Sequence, residues 1–140
     1  RLTGYKQALA QAGITLDPDL IPPPISKNDI DRGEEALEHL LATDATAVFC
    51  YNDLIAIGLL VACRRRGIEV PQQLSVVGFD DIDWIQEVSP RLTTVHVHKA
   101  LMGKLGVRQL RDQLERDEKV SLKTVVGTEL IVRESVRKLR

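Results

Sequence analysis

Ala47-Val48-Phe49-Cys50-Tyr51 runs into Asn52-Asp53, and further on Ser75-Val76-Val77-Gly78-Phe79 runs into Asp80-Asp81. Both are short apolar runs that stop abruptly at a polar pair, as a buried strand does when it reaches the rim of a sheet. Between them lie a helix-like stretch, about Asp53 to Arg66, and a connection that opens on Gly67 and carries Pro71. Strand, helix, strand in that order predicts two parallel strands joined by a crossover helix, since a tight hairpin cannot link parallel neighbours. Both strands then deliver acid and amide groups to the same sheet edge. In open α/β sheets small molecules bind outside that carboxyl edge. The stretch predicts both an α/β fold class and the place of a site.

Outward from this unit the punctuation continues. Leu2, Tyr5, Ala8, Leu9 and Ala12 share one helical face, and Gly13 follows as a helix stop. Asp17 to Lys27, with Pro18 and Pro22-Pro23-Pro24, reads as an extended connection. A second helix is expected over Asp29–Ala42, with Ala36, Leu37, Leu40 and Leu41 inward and Asn28 or Asp29 as its cap. The helix that follows Asn52 is apolar on every face from Leu54 to Val61, so it must be buried on two sides. One side meets the sheet, and the other implies a subunit interface. Arg64-Arg65-Arg66 complement that helix's C-terminus, the alternative being a phosphate-binding patch. Leu92–Val97 reads as a further strand and Lys99–Glu115 as the longest amphipathic helix. Asp117-Glu118-Lys119 is a turn, Thr124–Val126 and Glu129–Val132 are strand-like, and the last residues are charged and frayed.

Composition narrows the function classes. The 140 residues suffice for one domain with a real core. A formal net charge of -1 provides no electrostatic footprint for a nucleic-acid surface within this chain. With one Trp, two Tyr and two Phe, any ligand stacking must use very few rings. Cys50 and Cys63 fall in apolar elements and read as buried thiols of a reducing cytoplasm. No stretch approaches the ~20 apolar residues of a membrane span and no signal peptide is seen, so no membrane partner is expected. The chain opens on Arg1-Leu2-Thr3-Gly4 without an initiator Met, and is expected to be the interior and end of a longer polypeptide.

Few residues carry chemistry by themselves. Arg offers only donors, ionised Asp only acceptors, and Asn both, so Arg1, Asn52 and an edge Asp form a useful set for adjacent hydroxyls on a polyol or nucleoside. Each has a plainer reading as well: Asn52 or Asp53 as a helix cap, Asp80 as a turn residue, Arg1 as a loose chain end. His96 and His98 share a strand face, but no Cys or nearby third His joins them, so no metal is expected. Neither G-x-G-x-x-G nor G-x-x-x-x-G-K-[ST] occurs, and no nucleophile elbow or carboxylate pair demands catalysis. No cofactor is expected.

Taken in order, the blocks resemble the lactose/galactose repressor (LacI/GalR) family. Thr46 to Gly58, with Asn52-Asp53 and Ala56, is similar to that family's N-D-x-x-A-x-G block. Gly67-Ile-Glu-Val-Pro71 with Leu74 to Asp81 resembles its V-P…S-V-V-G-F-D-D block. Pro90 to Val95 resembles its P-x-L-T-T-V crossing strand, Glu129 to Ser135 its closing L-I-V-R-x-S, and Arg1 to Tyr5 its R-x-x-G-Y opening. The resemblance implies a parallel sheet flanked by helices, a periplasmic-binding-protein-like (type I) three-layer sandwich present here as a partial domain. Residues 1–91 would be most of the C-terminal effector-binding subdomain without its first strand. Residues 92–118 would be a crossing strand and helix of the N-terminal subdomain, and 119–140 closing strands and tail.

By position the resemblance implies that Arg1, Asn52 and Asp80 contact a small polar effector, a sugar or related metabolite, while Asp53 and Asp81 hold the local turn or cap. It implies a homodimer with Ile57 and Val88 at the interface, and DNA contacts through a helix-turn-helix headpiece that is not in this chain. Family members often place an aromatic ring where this chain has Asn28. The expected function is the ligand-sensing part of a cytoplasmic transcriptional regulator. A periplasmic sugar-binding protein of the same fold is the alternative, and an enzyme on a Rossmann-like sheet the third reading.

Overall fold

The computed structural model describes residues 1–21, 26–115 and 120–138. Pro22-Pro23-Pro24, the Asp117-Glu118-Lys119 turn and the last two residues of the tail lie outside the described residues. The elements are α1 (Leu2–Gln11), α2 (Asp29–Leu41), β1 (Ala47–Phe49), α3 (Asp53–Arg66), β2 (Ser75–Val77), β3 (Thr94–Val97), α4 (Lys99–Leu114) and β4 (Thr128–Ile131). Single 3-10 turns cover Pro18–Leu20 and Asp83–Gln86.

β1 and β2 pair in parallel, Val48 opposite Val76, with α3 as the crossover. The ladder is shorter than the apolar runs, but contact continues past it. Cys50 N–H donates to the Val77 carbonyl at 2.8 Å and Asp53 N–H to the Phe79 carbonyl at 2.9 Å. β3 pairs with β4 antiparallel, Thr94 opposite Ile131. Parallel bridges Val77–Thr93 and Asp80–His96 run β3 alongside the extension of β2. Thr124–Val126 does not join a ladder; the closing strand is Thr128–Ile131 alone.

The core gathers Leu37 from α2, Leu59 and Cys63 from α3, Val76 from β2, and Ile85 and Leu92 from the connections. Each such side chain removed from water contributes about 1.5–3 kcal/mol. Leu41, expected inward, is exposed, because α2 ends there and the chain turns away. The second partner of α3 is α2, and this corrects the expectation that its two-sided burial demands a second subunit. A Cβ on Gly33 would land on the Ile55 carbonyl, and one on Gly58 on the Ile30 carbonyl, so the two backbones pass with no room for a side chain. Arg65 pairs with Glu34 at 2.9 Å and Arg66 pairs with Glu38, so two of the three arginines tie α3 to α2. Gly67 closes α3 at φ 69, a left-handed stop that glycine adopts without strain.

α1 and α4 differ from α2 and α3. Neither has a buried residue, and Leu101, Val107, Leu110 and Leu114 of α4 stand exposed. Cys50 and Cys63 are free and buried, and burial pushes the Cys50 thiol up to about 12, which leaves it an inert apolar group. Among the described residues no helix is long and apolar enough to cross a membrane.

Candidate functional site

The chain leaves β2 through a strained corner. Asp80 has φ 113 and Asp81 φ 50, both in a region that side-chain-bearing residues avoid. Such a corner persists only when its surroundings over-determine it. Asp80 N–H donates to the Val95 carbonyl at 2.9 Å, and Lys99 Nζ reaches the Asp80 carbonyl. The Asp81 carboxylate sits between Arg133 Nη2 at 2.8 Å and His96 Nδ1 at 2.7 Å. Burial by itself raises the pKa of Asp81, but its bonds and charge contacts with Arg133 and His96 outweigh that and hold it below the ordinary carboxylate value. From behind, the enclosed Asp53 carboxylate takes the Thr94 hydroxyl at 2.6 Å and the Ile82 N–H at 3.0 Å. A Cβ on Gly78 would fall on that carboxylate, so glycine is required there by space.

Asp53 and Asp81 do hold the turn, but the cap of α3 is Asn52. Its Oδ1 accepts from Ile55 N–H at 2.9 Å, which corrects the expectation that the cap falls to Asp53 and leaves Asn52 free. Asn52 keeps its amide for other partners: Nδ2 donates to Asp29 Oδ2 at 2.7 Å. Asp29 is paired in turn with Arg32 at 3.0 Å. Asn28 caps α2 through Ile30 N–H at 2.9 Å and supplies no ring.

Arg1 comes to this edge from the start of α1. Its Nη2 meets Asp80 Oδ1 at 2.8 Å, a pair only about a quarter exposed (24% and 30%), and its Nη1 reaches the Tyr51 carbonyl. The guanidinium lies 4.5 Å from the Tyr51 ring centre and 4.1 Å from that of Phe79. Arg1 and Asp80 are thus in direct contact, and Asn52 stands one residue beyond Tyr51. Ile57 and Val88 belong elsewhere, half-buried at the rim of the core. Tyr51, Phe79, Asp29 and Lys99 were not singled out as site residues by the sequence reading. Tyr51 and Phe79 carried a signal all the same: each immediately precedes the polar pair that ends its strand.

The chemistry of the edge is that of balanced, oriented hydrogen bonding. Asp80 is matched by Arg1, Asp29 by Arg32 and Asp81 by Arg133, while Lys99 Nζ, which meets the Asp80 and Asp81 carbonyls, adds a positive charge beside them. Arg1 retains donors and Asp80 retains acceptor positions beyond their mutual bond. His96 and His98 rings meet edge-on at 4.8 Å, but each faces a carboxylate, Asp81 and Glu129 respectively. Among the described residues no group of three or more His, Cys, Asp or Glu is arranged to hold a metal. A cavity of about 370 Å³ lies among Leu60, Cys63, Ile68, Val70 and Pro90; none of the edge residues lines it. The polar edge is the candidate site because charged and polar side chains with spare donors and acceptors converge there.

The family described as "Periplasmic binding protein-like domain" matches residues 1–136. The HTH-type transcriptional repressor CytR of Escherichia coli (strain K12) is 38% identical over 143 residues, covering 99% of this chain and 41% of CytR. The ribose operon repressor of Haemophilus influenzae is 37% identical over 142 residues, covering 100% of this chain and 42% of the repressor. Among solved structures, the transcriptional regulator CelR in complex with cellobiose superposes with a TM-score of 0.86 at 34% identity, over 96% of this chain and 41% of CelR. The chain therefore spans well under half the length of these relatives, and its partly assembled α/β architecture is the periplasmic-binding-protein-like fold.

Proposed function

The chain belongs to the periplasmic binding protein-like domain family, in the LacI-type regulator branch, and from that premise we propose that it forms one half of an effector cleft. The proposed effector is a small, neutral, hydroxyl-rich molecule, a sugar or close relative, contacted by Arg1, Asn52 and Asp80. One observation carries this reading: Arg1 and Asp80, 79 residues apart in sequence, are joined at the strand ends with donors and acceptors to spare. Hydroxyls can bridge the spare donors of Arg1 and the spare acceptor positions of Asp80 without changing the charge of the edge.

The second wall of the cleft would come from the remainder of the protein. Residues 1–91 would form the effector subdomain described above, 92–118 the crossing strand and helix of the partner subdomain, and 119–140 the closing strands and tail. The apolar, unburied face of α4 supports this division. Leu54, Ile57 and Val61, at helical spacing on α3, are only half-buried, which supports a homodimer contact with Ile57 and Val88 in it. Operator DNA would be held by a helix-turn-helix headpiece outside this chain, in a cytoplasmic regulator with no catalytic role. The named relatives are repressors, which favours this reading over a periplasmic sugar-binding protein.

An effector shifts operator affinity only through its different affinity for the two forms, typically about 1–3 kcal/mol or 5- to 150-fold. The test is a fluorescence-anisotropy titration of operator DNA by the full-length protein with and without a panel of neutral sugars and nucleosides. A sugar that moves the DNA dissociation constant at least fivefold supports the proposal. A panel whose members bind but leave that constant unchanged sinks it.

A further inference from the structure

We propose that Tyr51 and Phe79 are positioning residues that clamp the Arg1 guanidinium between two ring faces and so fix its bond to Asp80; the inference rests on the effector-site reading above. Arg1 lies 4.5 Å from the Tyr51 ring centre and 4.1 Å from that of Phe79, both within the range at which a cation is attracted by a ring face. A long side chain on its own samples many rotamers, and ordering it costs conformational entropy. Two flat faces and the Tyr51 carbonyl restrict the guanidinium to one orientation, which aims Nη2 at Asp80 Oδ1. Phe79 is braced in turn by the edge of Phe49, ring centres 6.4 Å apart at 61°. Tyr51 is 63% exposed, so its ring fills no core and its position on Arg1 is the contact that accounts for it. The clamp selects arginine, whose planar cation stacks, over lysine, whose compact ammonium does not.

The test uses the full-length protein with labelled arginine, the Arg1 signals being identified by their loss in Arg1→Ala. Protons next to two ring faces resonate upfield of a free arginine. The proposal expects that displacement in the wild type, its retention in Tyr51→Phe, and a move toward the free position in Tyr51→Ala. Calorimetric titration with D-ribose and with cellobiose reads the consequence: Tyr51→Ala weakens whichever sugar binds the wild type by about fivefold to thirtyfold, and Tyr51→Phe restores it to within about twofold. Arg1 signals at the free position in the wild type, or unmoved by Tyr51→Ala, overturn the clamp whether or not either sugar binds. Equal affinity of Tyr51→Ala and wild type overturns its positioning role. Failure of the underlying reading looks different: the upfield shift persists while Arg1→Ala and Asp80→Ala both bind sugar as the wild type does.

Discussion

Asp81 is not among the proposed effector contacts, yet the Arg133 guanidinium and the His96 ring converge on it. Because Arg133 and His96 hold its pKa below the ordinary 3.8, its contribution to stability is present above that value and is lost as pH falls through it toward the folded-state value. The difference in urea midpoint between wild type and Asp81→Asn is therefore expected to be largest near neutrality and to shrink below about pH 4. A difference that stays flat on acidification would show that the pair adds nothing. At this scale the sequence was legible in part. That Arg1 and Asp80 come to one strand edge was implied by the family resemblance. The division of labour within Asn52-Asp53 was not legible, because either side chain can cap a helix. Burial decided it: Asp53 is enclosed against Thr94 and Ile82, which leaves Asn52 at the cap.

Helix α3 was readable because its ends are marked, Asn52 before it and Gly67 after it, and the structure keeps both boundaries. Its second neighbour was not readable, since glycines spaced for a helix crossing look like ordinary weak helix formers until two such positions face each other. Gly33 and Gly58 do so here. Gly33→Ala is expected to cost about 3 kcal/mol, as overpacking against a backbone cannot be relieved by a rotamer change. Gly67→Ala, with open space around it but a positive φ, is expected to cost only about 1 kcal/mol. Denaturant midpoints of the two variants check the order; equal losses would mean that the helices can separate at little cost. The apolar runs outlast the regular ladder because Cys50 and Phe79 still bond across to Val77 and Asp53 after it has ended.

On the scale of the molecule, α4 carries apolar side chains that stand exposed, and among the described residues it buries none of its own. Periodicity reports that a face is meant to be covered and is silent on what covers it. If residues 92–118 belong with the partner subdomain, Leu110→Asp should destabilise the full-length protein by more than about 2 kcal/mol, although this leucine is 58% exposed here. A change within about 0.5 kcal/mol, normal for a surface site, would remove that division of the chain. The central claim is that the joined strand ends form an effector site, and isothermal titration of the full-length protein tests it most directly. With a neutral sugar first found to bind the wild type, Asp80→Ala and Asn52→Ala are expected to weaken binding at least tenfold, about 1.4 kcal/mol each, with the fold retained and Asn52→Ala also losing about 1 kcal/mol of stability with its helix cap. Titration curves for Asp80→Ala that overlie the wild type would contradict the account.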